Sequence, residues 1–374
     1  MRIAFDAKRA FNNFSGLGNY SRLLISALEE NFPENDYFLF TPKVQYPLLE
    51  NFPKVGKIIL PETTYQKLFS FYWRSWALQK QLSENRIDIF HGLSNELPFN
   101  AHRFKCKNVV TIHDLLYLKH PEDFPAFDRF FYQQKTAYAV KTADIITVNS
   151  QQTKQDLISY FKISEKKIDV TPHAIGNHFY TAKSKEEREK VLKKYQLPKK
   201  FVLQPGSFLG RKNHALSIAA FSSISKKYSD LNLVFTGSGG NLENKLRTQI
   251  EHSGLSSKII IRKNIEAFDM PTVYQASEMV LYPSLNEGFG LPILEAFASN
   301  VPVITSNINV FKETGGSAAL YINPKLVSEL ENAISLLIED NVQRQLLIKE
   351  GELQLSKFSS KAIAERMMQL YRSL

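Results

Sequence analysis

Short apolar runs alternate with longer helical patterns along almost the whole of this 374-residue chain. Strand-like runs such as 2–6, 108–112, 201–204 and 279–282 are each followed by a polar or glycine-containing loop and then by a helical pattern. Parallel strands need such a crossover between them. The alternation therefore predicts an α/β protein whose parallel sheets are covered by helices on both faces.

The length of the chain predicts two domains, and 43% hydrophobic residues are enough for two large cores. The alternation loosens near Pro172, and a charged run over 183–200 precedes the next strand. We therefore expect an N-terminal domain over 1–175 and a C-terminal domain over 176–357. We expect one helix over about 327–349, and a last helix, from about Ser360, carries apolar residues on one face.

The balance of charge is basic, with 47 Lys and Arg against 37 Asp and Glu. This favours anionic partners such as nucleotides or lipid phosphates. The excess is spread along the chain without a nucleic-acid-binding signature, which argues against nucleic acid. We find no run of roughly 18 apolar residues, no leader-like N-terminus, and one cysteine, Cys106. We expect a cytoplasmic protein without disulfides.

The most informative stretch, 281–305, reads as strand, loop, helix and strand. Gly288 and Gly290 lie in the loop, and a helix beginning near Pro292 would point its positive end at that loop. Such an end suits a phosphate group. Glu287 and Glu295 frame it with carboxylates. The alternative is an ordinary turn in which Glu295 only favours the helix dipole.

A second loop follows the strand over 201–204 and contains Gly206, Arg211 and Lys212. The two cations directly precede a helix that begins at His214. Cations at a helix N-terminus oppose the macrodipole by roughly 0.3–1 kcal/mol each. A bound anion would explain the pattern; the alternative is solvated charge on a loop.

Two polar residues, His113 and Asp114, come directly after the strand over 108–112. Ligands of open parallel sheets bind beyond the carboxyl ends of strands. We therefore predict a functional role for this pair, although an isolated histidine is usually structural.

A glycine loop over 15–20 contains Gly16 and Gly18 and leads into a helix predicted over 21–31. The glycines would let the backbone approach a ligand at the helix N-terminus. Ser21 stands where a dinucleotide fingerprint has its third glycine, so a plain tight turn is an equal alternative.

Residues 65–82 form an aromatic and basic pattern with helical spacing. The pattern predicts one amphipathic helix that either lies on a membrane surface or packs into the core.

The run from Glu287 to Glu295, Glu-Gly-Phe-Gly-Leu-Pro-x-x-Glu, together with Gly-Arg-Lys-Asn at 210–213, resembles the large retaining glycosyltransferase family of the GT-B fold. That family is typified by bacterial mannosyl- and glucosyltransferases. The similarity spans nearly the whole chain and includes Thr-Ile-His-Asp-Leu at 111–115. It implies two Rossmann-like domains facing a cleft, with the final helix, 358–374, crossing back to the N-terminal, acceptor-side domain.

The resemblance also implies roles for the residues singled out above. Arg211 and Lys212 would hold the donor diphosphate, and Glu295 would accept hydrogen bonds from the ribose. Glu287 would grip the sugar with the backbone N–H groups of the loop, and His113 would lie near the transferred sugar. The remaining implied positions are Asp114 in the catalytic group and, for the donor or acceptor, Gly16, Gly18, Gly206, Ile265, Gly288, Phe289, Gly290 and Leu291.

Two departures qualify the resemblance. Ala174 and Gly176 replace the glycine and aspartate that the family usually has after the domain link, which puts that contact in doubt. No Asp-x-Asp occurs, in agreement with metal-independent members of this fold.

The function implied is a metal-independent retaining hexosyltransferase in cell-surface polysaccharide synthesis. We expect the donor to be a nucleotide sugar, GDP-mannose in preference to UDP-sugars, without another cofactor. The acceptor would be a glycan or lipid-linked saccharide at the anionic inner membrane face. The alternatives are a sugar-nucleotide epimerase of the same architecture and a non-catalytic nucleotide-sugar-binding subunit.

Overall fold

The computed structural model describes residues 1–13, 16–44, 52–237, 239 and 242–374. The chain forms two compact units. Unit 1 comprises Met1–Gly176 and Phe358–Leu374, and unit 2 comprises Asn177–Lys357.

Unit 1 is built on a seven-stranded sheet, ordered β3-β2-β1-β4-β5-β6-β7, in which every neighbouring pair is parallel. Most strand residues are buried on both faces, which is why the runs read as continuously apolar. The strands are β1 Arg2–Asp6, β2 Asp36–Phe40, β3 Lys57–Ile59, β4 Ile89–Gly92, β5 Lys107–Ile112, β6 Ile145–Val148 and β7 Ile168–Val170.

The helices of the first part of unit 1 lie in the crossovers between these strands. They are α1 Lys8–Asn12, α2 Gly16–Asn31, α3 Thr64–Leu68, α4 Ser70–Tyr72, α5 Leu78–Glu84, α6 Leu116–Lys119, α7 Ala126–Thr142 and α8 Gln151–Phe161.

Unit 2 has a six-stranded parallel sheet, ordered β10-β9-β8-β11-β12-β13. Its strands are β8 Phe201–Pro205, β9 Asn232–Thr236, β10 Ile259–Arg262, β11 Met279–Tyr282, β12 Val303–Ser306 and β13 Ala319–Ile322. Its helices are α9 Lys185–Lys194, α10 His214–Lys227, α11 Glu243–His252, α12 Met270–Ala276, α13 Leu291–Ala298, α14 Asn309–Gly315, α15 Val327–Glu339 and α16 Asn341–Leu355.

The last helix, α17 Ser360–Arg372, belongs to unit 1 and packs against α2. Its buried side chains Ile363, Met367 and Tyr371 are spaced four residues apart and form one face. The Ser359 hydroxyl accepts a hydrogen bond from the Ala362 N–H, 3.2 Å away, and so caps the helix. The prediction of two parallel-sheet domains with a returning final helix is confirmed.

Three helix predictions were wrong in their boundaries. The helix expected over 21–31 begins at Gly16, so both glycines lie in its first turn. Residues 65–82 do not form one helix, because α3 and α4 are followed by a π-helical segment, Trp73–Ala77, before α5. The pattern over 327–349 divides at Asp340, whose carboxylate accepts a hydrogen bond from the Gln343 N–H that begins α16. No helix in the described part of the chain has the length and apolar character needed to span a bilayer.

Candidate functional site

The loop after β8 presents two cations directly ahead of α10. Arg211 and Lys212 lie in a short 3-10 turn, Gly210–Lys212. Asn213 follows in the left-handed region with φ of 57°, and its side-chain N–H donates to Pro324 O at 2.8 Å. This bond fixes the turn. Asparagine suits the position, because it tolerates the left-handed region better than most residues. The two cations are therefore held in place before any ligand is bound.

The two cations share one carboxylate. The Lys212 ammonium donates to Glu287, and Arg211 Nη1 lies 3.8 Å from Glu287 Oε1. Lys212 Nζ also lies 3.0 Å from the Tyr282 hydroxyl and 4.8 Å from the centre of that ring. Lys212 is only 8% exposed and Glu287 only 9%, so these charges attract one another in a medium that screens them little.

The charge state of this cluster follows from its geometry. Burial opposes ionisation of Glu287, but Lys212 and Arg211 outweigh it and hold the pKa of that carboxyl below its usual value. Burial lowers the pKa of Lys212, and Glu287 opposes that shift. With Glu287 ionised, the two cations leave the group with one positive charge in excess. Such a site can accept an anion without further desolvation of the lysine.

The loop that carries Glu287 ends at the N-terminus of α13. Gly290, the residue before this helix, has φ of 106°, and a Cβ there would lie 3.0 Å from Phe311 Cδ1. Phe289 is buried, and its carbonyl accepts a hydrogen bond from the Thr314 hydroxyl at 2.7 Å. Gly288 lies in the same loop, and Leu291 is the first residue of α13. These contacts hold a helix N-terminus in the same unit as the two cations.

Glu295 lies on α13 and has a tyrosine partner. The Tyr274 hydroxyl donates to Glu295 Oε2 at 2.5 Å. Burial raises the pKa of Glu295, and the Tyr274 hydrogen bond and the charge of Lys212 offset this rise only in part. Phe179 packs edge-on against the Tyr274 ring with 5.6 Å between centroids. Glu295 therefore has one oxygen fixed by α12.

The sequence analysis did not single out Tyr274 or Tyr282. Both are buried and both contact a carboxylate or cation of the cluster. Tyr282 is the last residue of β11, so its position at a strand's carboxyl end was a usable signal. Tyr274 lies within a helix and gave no such signal.

His113 of unit 1 is buried, and both of its ring nitrogens have protein partners. Nε2 lies 2.8 Å from Leu93 O, and Nδ1 lies 3.2 Å from His173 Nε2. A carbonyl only accepts, so we assign the proton to Nε2, which leaves Nδ1 to accept from His173. Burial lowers the pKa of His113 to about 4. The imidazole is therefore neutral near pH 7 and held in one orientation.

A chain of hydrogen bonds connects this neighbourhood to α17. The Tyr371 hydroxyl lies 2.6 Å from His91 Nδ1, and His91 Nε2 lies 2.8 Å from Thr111 Oγ1. Thr111 Oγ1 lies 3.0 Å from the Tyr20 hydroxyl, and the Tyr20 ring lies 4.7 Å from that of His113. The sequence analysis did not connect His91 with α17.

Two of the other predicted positions of unit 1, Asp114 and Gly18, have structural partners. Asp114 Oδ1 accepts a hydrogen bond from the Leu116 N–H at 3.1 Å, at the start of α6. Gly18 packs against the end of α1, where a Cβ would lie 1.8 Å from Asn13 O, whereas a Cβ on Gly16 would meet nothing within 4 Å. Ser15, part of the predicted glycine loop, lies outside the described residues.

The structure thus brings together four of the predicted positions of unit 2: Gly206, Arg211, Lys212 and Glu287. Gly206 lies against the Lys212 side chain, and Arg211, Lys212 and Glu287 interact directly. Ile265 is half-buried in the loop after β10. Gly16, Gly18, His113 and Asp114 all belong to unit 1.

Comparison with known proteins gives two family matches. The model described as glycosyl transferases group 1 matches residues 184–354, and the model of glycosyltransferase family 4 matches residues 14–176.

Among curated proteins, O-antigen chain mannosyltransferase B of Escherichia coli is 29% identical over 396 residues, covering 100% of both chains. The serotype-specific mannosyltransferase WbdA of Escherichia coli is 31% identical over 284 residues, which are 73% of this chain and 34% of that relative. This chain therefore spans about a third of the length of WbdA.

Among solved structures, Anabaena HepE in complex with UDP-glucose has a TM-score of 0.77 at 18% identity, covering 100% of both chains. At 18% identity this similarity shows that the two chains share a fold.

Proposed function

This chain belongs to the group 1 glycosyltransferases of the GT-B fold, and on that premise we propose that it transfers a mannose residue from a nucleoside-diphosphate sugar to a saccharide acceptor. The observation that carries this proposal is the buried cluster of Arg211, Lys212 and Glu287 in the same unit as the N-terminus of α13. Its excess positive charge suits a diphosphate, and the relatives named above are mannosyltransferases.

The leaving diphosphate gains negative charge as the bond to the sugar breaks. Preorganised cations and helix N–H groups stabilise such developing charge without rearranging during the reaction. Arg211 and Lys212 are already fixed by Asn213, Tyr282 and Glu287. We propose that they perform this task directly, without a metal ion.

The stereochemical course we propose is retention. In hydrolases that use two carboxylates, the carboxylates flank the scissile bond. Glu287 and Glu295 belong to one loop and helix. We therefore assign them to substrate binding and not to the roles of nucleophile and general acid. The acceptor hydroxyl would attack the sugar carbon on the face that the diphosphate leaves. The new carbon–oxygen bond forms as the old one breaks, and the hydroxyl proton passes to the departing phosphate.

His113 has a binding role in this scheme. Its Nε2–H donates to Leu93 O and its Nδ1 faces His173, so neither nitrogen is placed for proton transfer to a substrate.

For the donor we propose GDP-mannose in preference to UDP-sugars, and for the acceptor a glycan or lipid-linked saccharide of a cell-surface polysaccharide. Support for mannose and for the polysaccharide comes from the two Escherichia coli relatives, which are named for O-antigen and serotype-specific mannosyl transfer. The sugar-nucleotide epimerase is the second candidate, because it would use the same diphosphate site.

A panel of nucleotide sugars tests the proposal. Ligands that bind only the folded state raise the apparent melting temperature, so GDP-mannose should give a larger shift than UDP-glucose or UDP-N-acetylglucosamine. The preferred donor should stay intact when incubated alone and be consumed when mannose oligosaccharides are added. Conversion of the donor without an acceptor would identify an epimerase, and donor binding without turnover would identify a binding subunit.

A further inference from the structure

A cavity of about 190 Å³ lies in unit 2 between the first turn of α10 and one side of α11. Leu246 and Gln249 of α11 line it, three residues apart on one side of that helix, together with Lys245. Arg211 and Lys212 do not line it. The cavity is therefore separate from the cation cluster, and it is smaller than the pockets that hold drug-sized ligands.

The first turn of α10 has no capping side chain. Asn213, the residue before the helix, instead donates its side-chain amide to Pro324 O at 2.8 Å and to Pro283 O at 3.2 Å. His214 and Ala215, the first two residues of the helix, both line the cavity. The first N–H groups of a helix lack partners within it, and together with the positive end of the helix dipole they suit a phosphate group.

The His214 side chain contributes a polar group that is independent of the helix end. The residue is 5% exposed, and its Nε2 atom has no hydrogen-bond partner among the described residues. Buried polar atoms in proteins are normally paired, so a ligand is a natural partner for this one. Burial and the charge of Lys212 lower the pKa of His214 to about 4, so the ring is neutral near pH 7. A neutral ring with its proton on Nε2 can donate a hydrogen bond to a ligand.

The rest of the lining indicates a ligand with one anionic group on a compact apolar body. Lys245 is exposed and forms no ion pair within the described part of the chain, whereas Glu243 pairs with Arg247 at 3.0 Å. The described residues that line the cavity include no acidic side chain. Leu209 and Leu246 supply apolar surface. The cavity thus combines one positive charge with apolar walls.

We propose that this cavity is an effector site for a small organic phosphate. A phosphate group has three strong acceptor oxygens. They match the three kinds of donor that the cavity offers, which are the N-terminus of α10, the His214 imidazole and the Lys245 ammonium. The apolar group of the ligand lies against Leu209 and Leu246.

The cavity adjoins the turn that carries the two cations of the candidate site. Gly210 and Asn213 line it, and they directly flank Arg211 and Lys212 in the chain. A ligand in the cavity therefore contacts this turn without occupying the diphosphate position. The effector role rests on the proposed function, in which Arg211 and Lys212 hold the donor diphosphate. Binding at the two positions is then coupled, and the coupling is reciprocal.

Calorimetry with phenyl phosphate tests the site. With GDP present at saturation to fill the diphosphate position, the wild type should bind one phenyl phosphate per chain. Inorganic phosphate and benzyl alcohol each carry only half of the ligand's chemistry and should bind about tenfold more weakly or worse. Lys245→Ala should weaken phenyl phosphate binding by about tenfold, through loss of one charge-assisted hydrogen bond.

A filled cavity provides the sharpest comparison. Ala215→Trp places a large side chain in the cavity from an exposed position of α10 and should abolish phenyl phosphate binding. The matched control is Ser223→Trp, at an exposed position of the same helix that does not line the cavity; it should bind as the wild type does. Circular dichroism verifies that both variants are folded.

The affinity for GDP tests the effector role. Saturating phenyl phosphate should change the GDP dissociation constant of the wild type by about fivefold or more and leave that of Ala215→Trp unchanged. Three results would overturn the proposal: no phenyl phosphate binding by the wild type, equal binding by the wild type and Ala215→Trp, or an unchanged GDP affinity. Failure of GDP to bind in the absence of phenyl phosphate would instead contradict the proposed function, and the comparison with Ala215→Trp would still decide whether the cavity binds phosphate.

Discussion

Lys212 is the residue in which charge and burial are most tightly coupled. Replacing it by methionine leaves Glu287 buried with Arg211 3.8 Å away as its remaining cation. Breaking a buried pair on one side costs about 3–5 kcal/mol of unfolding free energy. Loss of a preorganised charge should also lower the transfer rate by about 10²–10³-fold. We expect Lys212→Met to show both effects in urea unfolding and in transferase assays.

The companion variant Lys212→Met/Glu287→Gln separates the two effects. Removing the stranded carboxylate should restore most of the stability but none of the activity. Near-normal transfer by either variant would contradict the role we give to the cluster.

Tyr274 is predicted to position Glu295 for the ribose. Without its hydroxyl, Glu295 loses the hydrogen bond that fixes one oxygen, at a cost on the order of 1–1.5 kcal/mol. Tyr274→Phe should therefore weaken binding of a nucleoside diphosphate by about tenfold in calorimetry. A 2′,3′-dideoxynucleoside diphosphate is the matched ligand, because both proteins should bind it equally weakly. An equal loss of affinity for the two ligands would show that Tyr274 does not act through the ribose contact.

The buried histidines of unit 1 predict a dependence of stability on pH. Burial lowers the pKa of His113 from 6.5 to about 4 and that of His91 from 6.5 to about 3. The unfolded chain thus binds more protons below pH 6.5, and the stabilisation present above that pH is lost as pH falls through the folded values. Each unit of pKa is worth about 1.4 kcal/mol.

His91→Gln removes one of these titrating groups. The melting temperature of the wild type should fall between pH 6.5 and pH 4, and that of His91→Gln should fall less steeply. The test compares the slopes of melting temperature against pH, because the substitution also changes stability at neutral pH. Parallel curves would show that His91 does not titrate as its burial requires.

At the scale of elements, α2 offers two glycines with different surroundings in one helical turn. A Cβ on Gly18 would lie 1.8 Å from Asn13 O, whereas a Cβ on Gly16 would meet nothing. Gly18→Ala should destabilise unit 1 by about 1–3 kcal/mol through overpacking. Gly16→Ala should be neutral or stabilise by about 0.4–1 kcal/mol. Urea unfolding measures the free energy of unfolding of the two variants. Equal changes in the two would mean that α1 shifts away from α2 without cost.

Elements with a strong local pattern could be predicted from the sequence. Helix α10 begins at His214 and ends at Lys227, and β1 and β11 have the predicted ends, because apolar runs and loop residues mark both boundaries. The helix expected over 327–349 failed because its apolar spacing continues through Asp340, where a side-chain cap restarts the helix. The segment over 65–82 failed because Arg74 turns inward to Asp6 and Glu96, which are distant in sequence.

The candidate site also contains some residues that could be located from the sequence and others that could not. Glycines and charges around 206–213 and 287–295 are local signals, so that part could be located from sequence. The partners Tyr274 and His173 could not, because their roles depend on tertiary contacts at 2.5–3.2 Å with residues far away in the chain. A lone tyrosine or histidine has no pattern that distinguishes such a contact from ordinary core packing.

At the scale of the whole molecule, the stability of unit 1 should depend on α17. This helix buries Ile363, Met367, Met368 and Tyr371, and a buried large side chain is worth about 1.5–3 kcal/mol. Together they approach the roughly 5–15 kcal/mol that stabilises a typical domain. Deleting residues 358–374 should therefore abolish protection of unit 1 amides in hydrogen exchange and leave unit 2 protected.

The control for this deletion is Lys361→Ala/Glu365→Ala, which changes only the outward side of α17, where these side chains are 73% and 50% exposed. Its exchange pattern should match that of the wild type. Unit 1 amides that remain protected after the deletion would show that the helix is dispensable.

The return of the chain to unit 1 also has a consequence during translation. Nascent polypeptides usually fold their N-terminal domain first. Here the first unit leaves the ribosome with the apolar side of α2 bare, and the segment that covers it is synthesised only after all of unit 2. Unit 2 can therefore finish folding before unit 1. Until α17 is synthesised, we expect the uncovered apolar side of α2 to be bound by a chaperone.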